Sequence, residues 1–309
     1  MGKTAAMFPG QGSQYVGMAC DAYDAFAWVR ERYAAAQTIL GYDISAVSFS
    51  GPAETLQQTR YTQPAIFIHS SIVYDLASHR GFTPDFCAGH SLGEYSALYA
   101  AGVLSFEDAL LAVGKRAEFM QEACARNPGT MTAVVRLDYA VVREVCRAAG
   151  GIVVPANYNS PEQIAISGEQ AAVDRASALL KEKGARRVLP LAVGGAFHSP
   201  LMEPAPQHLA AVLDGLEFKT PRMPVVPNVT AEGCLDPHTL KKLLIEQITA
   251  PVLWYPTLLW LAKAGVDQFV ELGPKTVLGG LAGKSLEHVE ITGMDTLESI
   301  DAALAAATD

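Results

Sequence analysis

The chain has 309 residues, of which half are apolar and 18% are charged, so it is typical of globular proteins with a sizeable core rather than of disordered or fibrous chains. Its formal net charge of -9 argues against general nucleic-acid binding, because neutralising phosphates needs a surplus of Lys and Arg. No apolar stretch reaches the roughly 18 to 20 residues of a membrane span. We therefore expect neither nucleic acid nor a membrane among its partners.

The five cysteines are odd in number and never form a CxxC pair, which favours neither a disulfide framework nor a zinc site. The first residues, MGKTAAMFPGQGSQ, lack the long apolar segment of a secretory signal. Both observations predict a cytoplasmic protein.

Short apolar runs that end in Gly or Pro alternate with longer stretches of helical period, and this alternation predicts an α/β fold with a largely parallel sheet. In the first part of the chain the predicted elements are a strand at 3–8, a helix opened by Pro64 and closed near Gly81, a short buried strand at 85–89, a helix at 92–101, and a helix capped by Ser105 that runs to about Ala125.

After Asn127-Pro128-Gly129 the rhythm changes. Strands predicted at 130–137, 152–157, 163–167 and 187–191 enclose helices at 139–149 and 169–183, in the order βαββαβ of a ferredoxin-like unit. We therefore expect a small domain at 127–195 inserted into a larger one formed by 1–126 and 196–309. The larger domain resumes with helices near 200–214, 236–249 and 254–264, a strand at 268–272, and a closing strand and helix.

The stretch GHSLG, residues 89–93, satisfies the pattern GxSxG between a predicted strand and a predicted helix. The glycines allow a sharp turn that lifts the Ser91 hydroxyl towards a ligand at the carboxyl end of the strand. The turn also places the N–H of Leu92 at a helix start, where it could face developing negative charge. The alternative is that Ser91 only caps the following helix.

A serine hydroxyl needs a base, and the chain has seven histidines. His198 is the candidate, because GGAFHSP sets it in a loop of small residues between a predicted strand and the helix that begins at Pro200. His69 lies in the apolar run AIFIHSS and is predicted to pack in the core, and His90 is predicted to point away from Ser91. The alternative for His198 is a loop histidine without a role.

Six motifs in order make the chain resemble the malonyl-CoA:acyl carrier protein transacylases and the acyltransferase domains of polyketide synthases. They are FPGQGSQ (8–14), GHSLGEYSAL (89–98), KRAEFMQEA (115–123), NYNSPEQIAISG (157–168), GAFHSPLM (195–202) and ELGPKTVL (271–278). The resemblance covers essentially the whole chain. It implies a hydrolase-like α/β body with a ferredoxin-like insert, in agreement with the predicted elements.

By this resemblance, Ser91 is the nucleophile that takes the acyl group from coenzyme A, and His198 is the general base. The backbone N–H groups of Gln11 and Leu92 would form the oxyanion hole. The resemblance also gives Arg116 the recognition of the free malonyl carboxylate, which suits the bidentate fork of a guanidinium.

Two further assignments concern the surroundings of the histidine. Phe197 lies in an Ala-Phe-His sequence, and in the polyketide domains such a sequence accompanies selection of malonyl groups. The bulk of Phe197 would crowd a branched α-carbon. Gln247 matches the position whose backbone carbonyl orients the catalytic histidine. The implied substrate is malonyl-CoA and the implied partner is an acyl carrier protein, with no metal or redox cofactor.

Two alternatives stay open at this point: a serine hydrolase or thioesterase, which GxSxG serves equally well, and a non-catalytic carrier-binding protein that has kept the fold. Fatty-acid and polyketide synthesis are both compatible with the motifs. A carrier protein is acidic, so a local basic patch must receive it. Two patches are candidates, the first with Lys181, Lys183, Arg186 and Arg187, and the second with Lys275 and Lys284.

Overall fold

A computed structural model describes residues 2–306 of the chain. Its strands are β1 (Lys3–Phe8), β2 (Phe86–Gly89), β3 (Thr130–Val135), β4 (Val153–Ser160), β5 (Gln163–Gly168), β6 (Arg187–Pro190), β7 (Val225–Val226), β8 (Val266–Leu272) and β9 (Glu290–Met294). Its helices are α1 (Cys20–Ala25), α2 (Ala27–Leu40), α3 (Ile44–Ser50), α4 (Ala53–Leu56), α5 (Thr59–His79), α6 (Gly93–Ala100), α7 (Phe106–Arg126), α8 (Tyr139–Ala148), α9 (Gln170–Glu182), α10 (Ala205–Asp214), α11 (Pro237–Glu246), α12 (Trp254–Lys263), α13 (Val277–Ser285) and α14 (Leu297–Ala306), with a 3-10 turn at Pro200–Met202.

The larger sheet has five strands in the order β7-β2-β1-β8-β9, and every neighbouring pair is parallel. Alternate residues of β1 face opposite sides: Ala6 and Phe8 join the core on one face, and Ala5 and Met7 join the core that contains Trp254. Helices cover both faces, which explains why β2 and the part of β1 from Ala5 to Phe8 are apolar on both sides rather than alternating.

The smaller sheet has four antiparallel strands in the order β4-β5-β3-β6. Helices α8 and α9 pack on it through a separate apolar core that includes Val142, Val145, Val173 and Leu180. This strand order is that of a ferredoxin-like unit, so the predicted fold class, a parallel α/β body with a small antiparallel unit, is confirmed. The boundaries at 127–195 stay a prediction.

The small sheet is attached to the larger unit through β4. The N–H of Tyr158 donates to the carbonyl of Val252 at 2.9 Å, and the N–H of Val252 donates to the carbonyl of Ala156 at 2.8 Å. The small unit is therefore fixed against the segment between α11 and α12. Within residues 2–306, no helix combines the length and the apolar character needed to cross a membrane.

Helix α5 differs from its prediction, because it begins at Thr59 and contains Pro64 in its interior. Proline lacks the N–H that would bond the carbonyl four residues earlier. That carbonyl, of Arg60, instead accepts a hydrogen bond from the Tyr42 hydroxyl at 2.8 Å. A tertiary contact thus compensates for the proline. The prediction took Pro64 as the start of the helix and therefore placed its beginning five residues too late.

Candidate active site

Ser91 lies in the turn between β2 and α6 with a left-handed φ of 51°. A Cβ at Gly89 would lie 1.9 Å from the backbone carbon of Gly93, and a Cβ at Gly93 would lie 2.0 Å from the carbonyl oxygen of Phe8. Neither position can hold a side chain without moving backbone. The two glycines therefore permit the sharp turn, and the turn presents the Ser91 hydroxyl at the carboxyl end of β2.

His198 meets this hydroxyl, with 2.8 Å between its Nε2 and Ser91 Oγ. Its Nδ1 lies 2.9 Å from the carbonyl oxygen of Gln247 and 3.2 Å from that of Ala250. Because carbonyls only accept, Nδ1 carries the proton and Nε2 offers its lone pair to the serine. Burial, with the charge of Arg116, lowers the pKa of His198 to about 3, so the imidazole is neutral and able to act as a base.

Arg116 is 1% exposed and donates three hydrogen bonds to neutral groups. Its Nη2 lies 3.1 Å from Ser91 Oγ and 2.9 Å from Gln247 Oε1, and its Nη1 lies 2.7 Å from Gln63 Oε1. Among residues 2–306 no carboxylate forms an ion pair with it. A buried cation held only by neutral acceptors is suited to receive an anionic ligand, since burial of charge is costly without a partner of opposite sign.

These groups face a cavity of about 560 Å³ between the two sheets. Six of the seven predicted site residues line it, namely Gln11, Ser91, Leu92, Arg116, Phe197 and His198. The small sheet supplies part of the opposite wall through Met131, Asn157, Gln163 and Ala165. The cavity therefore belongs to both units of the fold, and the predicted base His198 follows the strand that closes the small sheet.

The loop after β1 packs directly on the serine turn. A Cβ at Gly10 would lie 2.4 Å from the carbonyl oxygen of His90, so only glycine allows this approach. The contact brings Gln11 to the same cavity wall as Leu92, which is 1% exposed. Their predicted backbone role as oxyanion donors is compatible with this placement and stays a prediction.

Gln247 was predicted to act through its backbone carbonyl, but its side chain also makes hydrogen bonds at the centre of the site. Besides accepting from Arg116, its amide Nε2 donates to the carbonyl of Ser91 at 2.9 Å and to Glu94 Oε2 at 2.7 Å. The sequence indicated only its backbone carbonyl, which any residue type can offer. The resemblance thus found the position and missed the side chain.

Three other residues of the site were missed from the sequence: Gln63, Glu94 and Asn228. Asn228 accepts from the N–H of Ser91 at 2.7 Å and donates to the carbonyl of Gly89 at 2.6 Å, so it braces the turn from both sides. A signal for Glu94 existed, since it is a single acidic residue in the otherwise uncharged stretch Ser91–Ala101. His90, predicted to point away from Ser91, bonds Asn159 at 2.9 Å but lines the same cavity.

The family described as acyl transferase domain matches residues 7–300 of the chain. A malonyl CoA-acyl carrier protein transacylase of Staphylococcus aureus is 42% identical over 303 residues, which cover 97% of this chain and 98% of the relative. The crystal structure of a malonyl-CoA:acyl carrier protein transacylase from Xanthomonas oryzae superposes with a TM-score of 0.94 at 42% identity, covering 99% of this chain and 98% of that one.

A third relative is a malonyl-transacylase solved in complex with its type II PKS acyl-carrier protein. It has a TM-score of 0.94 and 40% identity, and the match covers 98% of this chain and 99% of that one. The chain therefore belongs to the acyl transferase family. Within that family its place is among the malonyl CoA-acyl carrier protein transacylases.

Proposed function

We propose that this protein transfers a malonyl group from coenzyme A to the phosphopantetheine thiol of an acyl carrier protein through an acyl-serine intermediate. The observation that carries the proposal is the position of Ser91 Oγ, which lies 2.8 Å from a neutral imidazole and 3.1 Å from a buried guanidinium that has no anionic partner among residues 2–306. A base and a carboxylate receptor thus converge on one hydroxyl, which also suits the names of the relatives.

In the first half-reaction Ser91 Oγ attacks the thioester carbonyl and its proton passes to Nε2 of His198. The carbonyls of Gln247 and Ala250 stabilise the imidazolium that forms, and the N–H groups of Gln11 and Leu92 would receive the oxyanion. The carbon–sulfur bond then breaks, and the thiolate of coenzyme A leaves with the proton from His198.

The second half-reaction reverses the proton path. The carrier's thiol gives its proton to His198 Nε2, and the sulfur attacks the acyl-serine ester. The Ser91 alkoxide leaves and recovers the proton, so no net proton, electron or cofactor is consumed.

Selection of the acyl group follows from two side chains on the cavity wall. Arg116 has N–H donors to spare and, in the described part of the chain, no carboxylate partner, so it can bind the free carboxylate of a malonyl group in a bidentate manner. Phe197, which is 6% exposed and lines the cavity, would crowd a branched α-carbon. The two together favour malonyl over acetyl and over methylmalonyl groups.

The hydrolase alternative is disfavoured by the partner of the histidine. In α/β-hydrolases an Asp or Glu orients the imidazole, whereas here two backbone carbonyls do so. The intact contacts among Ser91, His198 and Arg116 likewise argue against a non-catalytic carrier-binding protein. The acidic carrier would approach at Lys284, which lines the cavity, with Lys275 nearby in sequence.

We infer a cytoplasmic location from the cysteines, all five of which are free thiols as a reducing compartment would leave them. A malonyl-loaded carrier protein is the starting material of both fatty-acid and polyketide synthesis. The protein would serve either pathway.

The test is intact mass spectrometry after brief exposure to malonyl-CoA, acetyl-CoA or methylmalonyl-CoA. We expect a stable malonyl adduct on the protein and none on Ser91→Ala. Arg116→Ala should lose malonyl loading and gain monocarboxylic acyl groups, because the carboxylate receptor is gone. Rapid release of free malonate without a carrier would instead identify a hydrolase.

A further inference from the structure

Glu94 is a fully buried carboxyl group three residues after Ser91, in the first turn of α6. Its Oε2 accepts from the amide Nε2 of Gln247 at 2.7 Å and from the backbone N–H of Asn228 at 3.0 Å. Its Oε1 has no hydrogen-bond partner within residues 2–306. The proton transfers of the proposed reaction leave this group unused, although it lies one amide away from Arg116.

A carboxylate only accepts hydrogen bonds, whereas an amide has one end that donates and one that accepts. Burial raises the pKa of Glu94 to about 7, so above that pH Glu94 is mainly ionised. The ionised group requires the NH2 end of Gln247 to face it, and this turns the oxygen end towards Arg116. The observed contacts follow that polarity, with Gln247 Oε1 accepting from Arg116 Nη2 at 2.9 Å. The orientation of a neutral amide is thus set by a charge on its far side.

The interposed amide has an electrostatic consequence. A carboxylate in direct contact with Arg116 would compete with the carboxylate of a substrate for the same N–H donors. With Gln247 between them, the ionised form of Glu94 balances the buried guanidinium at longer range and leaves the guanidinium donors to neutral acceptors. The cation is held in place without being neutralised.

We propose that Glu94 is a positioning residue that acts through the Gln247 amide to hold Arg116, and so sets the preference for acyl groups with a free carboxylate. The inference rests on the proposed function. Glu94 also holds the N–H of Asn228, whose side chain braces the Ser91 turn, so the same carboxylate links the receptor for the acyl group to the nucleophile.

The test variant is Glu94→Gln, which keeps the shape and removes the acceptor-only character. In it the Gln247 amide is free to flip and turn its NH2 towards the guanidinium. The readout, taken at about pH 8 where Glu94 is ionised, is the ratio of kcat/KM for Ser91 acylation by malonyl-CoA to that by acetyl-CoA. We expect this ratio to fall at least about tenfold, the size of one charge-assisted hydrogen bond, with most of the loss on malonyl-CoA.

A double-mutant cycle separates positioning from a general structural role. Gln247→Met keeps the backbone carbonyl that His198 needs and removes both side-chain contacts, so it should lower the ratio as much as Glu94→Gln does. Combining the two should lower the ratio no further, because both interrupt one chain of contacts. An unchanged ratio in Glu94→Gln, or losses that multiply in the double variant, would overturn the proposal.

The matched control is Glu271→Gln. Glu271 is also a fully buried glutamate that accepts two N–H donors, those of Leu278 and Gly279. Among the described residues it has no hydrogen bond to Arg116 or Gln247. The malonyl-CoA to acetyl-CoA ratio of the Glu271→Gln variant should equal that of the natural protein. If Glu94→Gln proves too unstable to assay, an unchanged ratio in Gln247→Met still overturns the inference. If the natural protein is not acylated by malonyl-CoA, the failure lies with the proposed function.

Discussion

The protonation state of His198 decides at which pH the site is competent. Its imidazole is 3% exposed, and both burial and the neighbouring Arg116 charge disfavour the protonated form. The hydrogen bond from Nδ1 to Gln247 works in the opposite direction, and it is outweighed, so the pKa falls from the usual 6.5 to about 3. The base is therefore free to accept a proton well below neutral pH.

This pKa predicts that acylation of Ser91 by malonyl-CoA does not lose its base as the pH falls from about 8 to about 5. An ordinary histidine would be mostly protonated at the lower end, with a rate limb centred near 6.5. Single-turnover acylation followed by quenched-flow mass spectrometry measures the profile.

Two other groups near the serine have shifted pKa values: burial raises the pKa of Glu94 to about 7, and burial lowers the pKa of His90 below the usual 6.5. The profile is therefore repeated with Glu94→Gln, which has no titrating group at that position. A limb centred near 6.5 that persists in this variant would belong to His198 and contradict the lowered pKa.

At the scale of elements, the site depends on how closely three backbone segments approach one another. The end of β1, the serine turn and the start of α6 meet where Phe8, Gly89 and Gly93 have backbone atoms in contact. Side chains are excluded at this junction, so the turn is fixed by the packing of main chain rather than by its own dihedral preferences.

Gly93→Ala tests this junction. The new Cβ would lie 2.0 Å from the carbonyl oxygen of Phe8, so β1 and α6 must separate. We expect the free energy of unfolding to fall by at least about 3 kcal/mol and acylation of Ser91 to be lost. Thermal or urea unfolding and adduct formation report the two effects.

Gly283→Ala is the matched control for this substitution. It also lies in a helix, α13, and its Cβ would make ordinary contact with Ile291 at 3.5 Å. Alanine there should raise stability slightly, since glycine is a poor helix former. A Gly93→Ala variant as stable and as active as the natural protein would show that the junction tolerates a side chain.

Elements with a strong periodic pattern or a turn signal could be predicted from the sequence, and those held by tertiary contacts could not. The strand and the helix on either side of GxSxG and the βαββαβ order are examples of the first kind. Helix α13 is an example of the second, because VLGGLAGKS has three glycines and no cap of its own. Its first N–H groups bond to the buried Glu271, a contact that only the fold creates.

The site residues likewise divide into those that a sequence motif marks and those that only tertiary contacts bring to the site. Ser91, His198 and Arg116 were found because each belongs to a motif, and the structure brings them within hydrogen-bond distance of one another or of a shared atom. Gln63 and Asn228 belong to no motif that the sequence analysis used, and for Gln247 the resemblance marked only the backbone carbonyl. Their importance comes from where α5, the segment after β7 and the segment after α11 meet, which no local pattern records.

At the scale of the whole molecule, charge opposes the encounter with an acidic carrier protein. The chain has a net charge of -9, so its overall field repels a partner of the same sign. A local basic group at the cavity mouth must therefore direct docking. Of the two patches predicted from the sequence, only the second contributes a residue to the cavity wall, which is Lys284.

Lys284→Glu should therefore weaken docking of the carrier, whereas the double change Arg186→Glu and Arg187→Glu should not. The measurement uses isolated malonyl-enzyme and follows transfer to carrier protein, so that coenzyme A does not contribute. We expect the carrier concentration for half-maximal rate to rise about fivefold or more for Lys284→Glu, because a charge at the rim of an interface acts mainly on association. Free pantetheine, an uncharged thiol, serves as the control acceptor, and its rate should stay unchanged. An equal loss with pantetheine would mean that Lys284 shapes the cavity, and a loss confined to the arginine pair would move the docking surface to the small sheet.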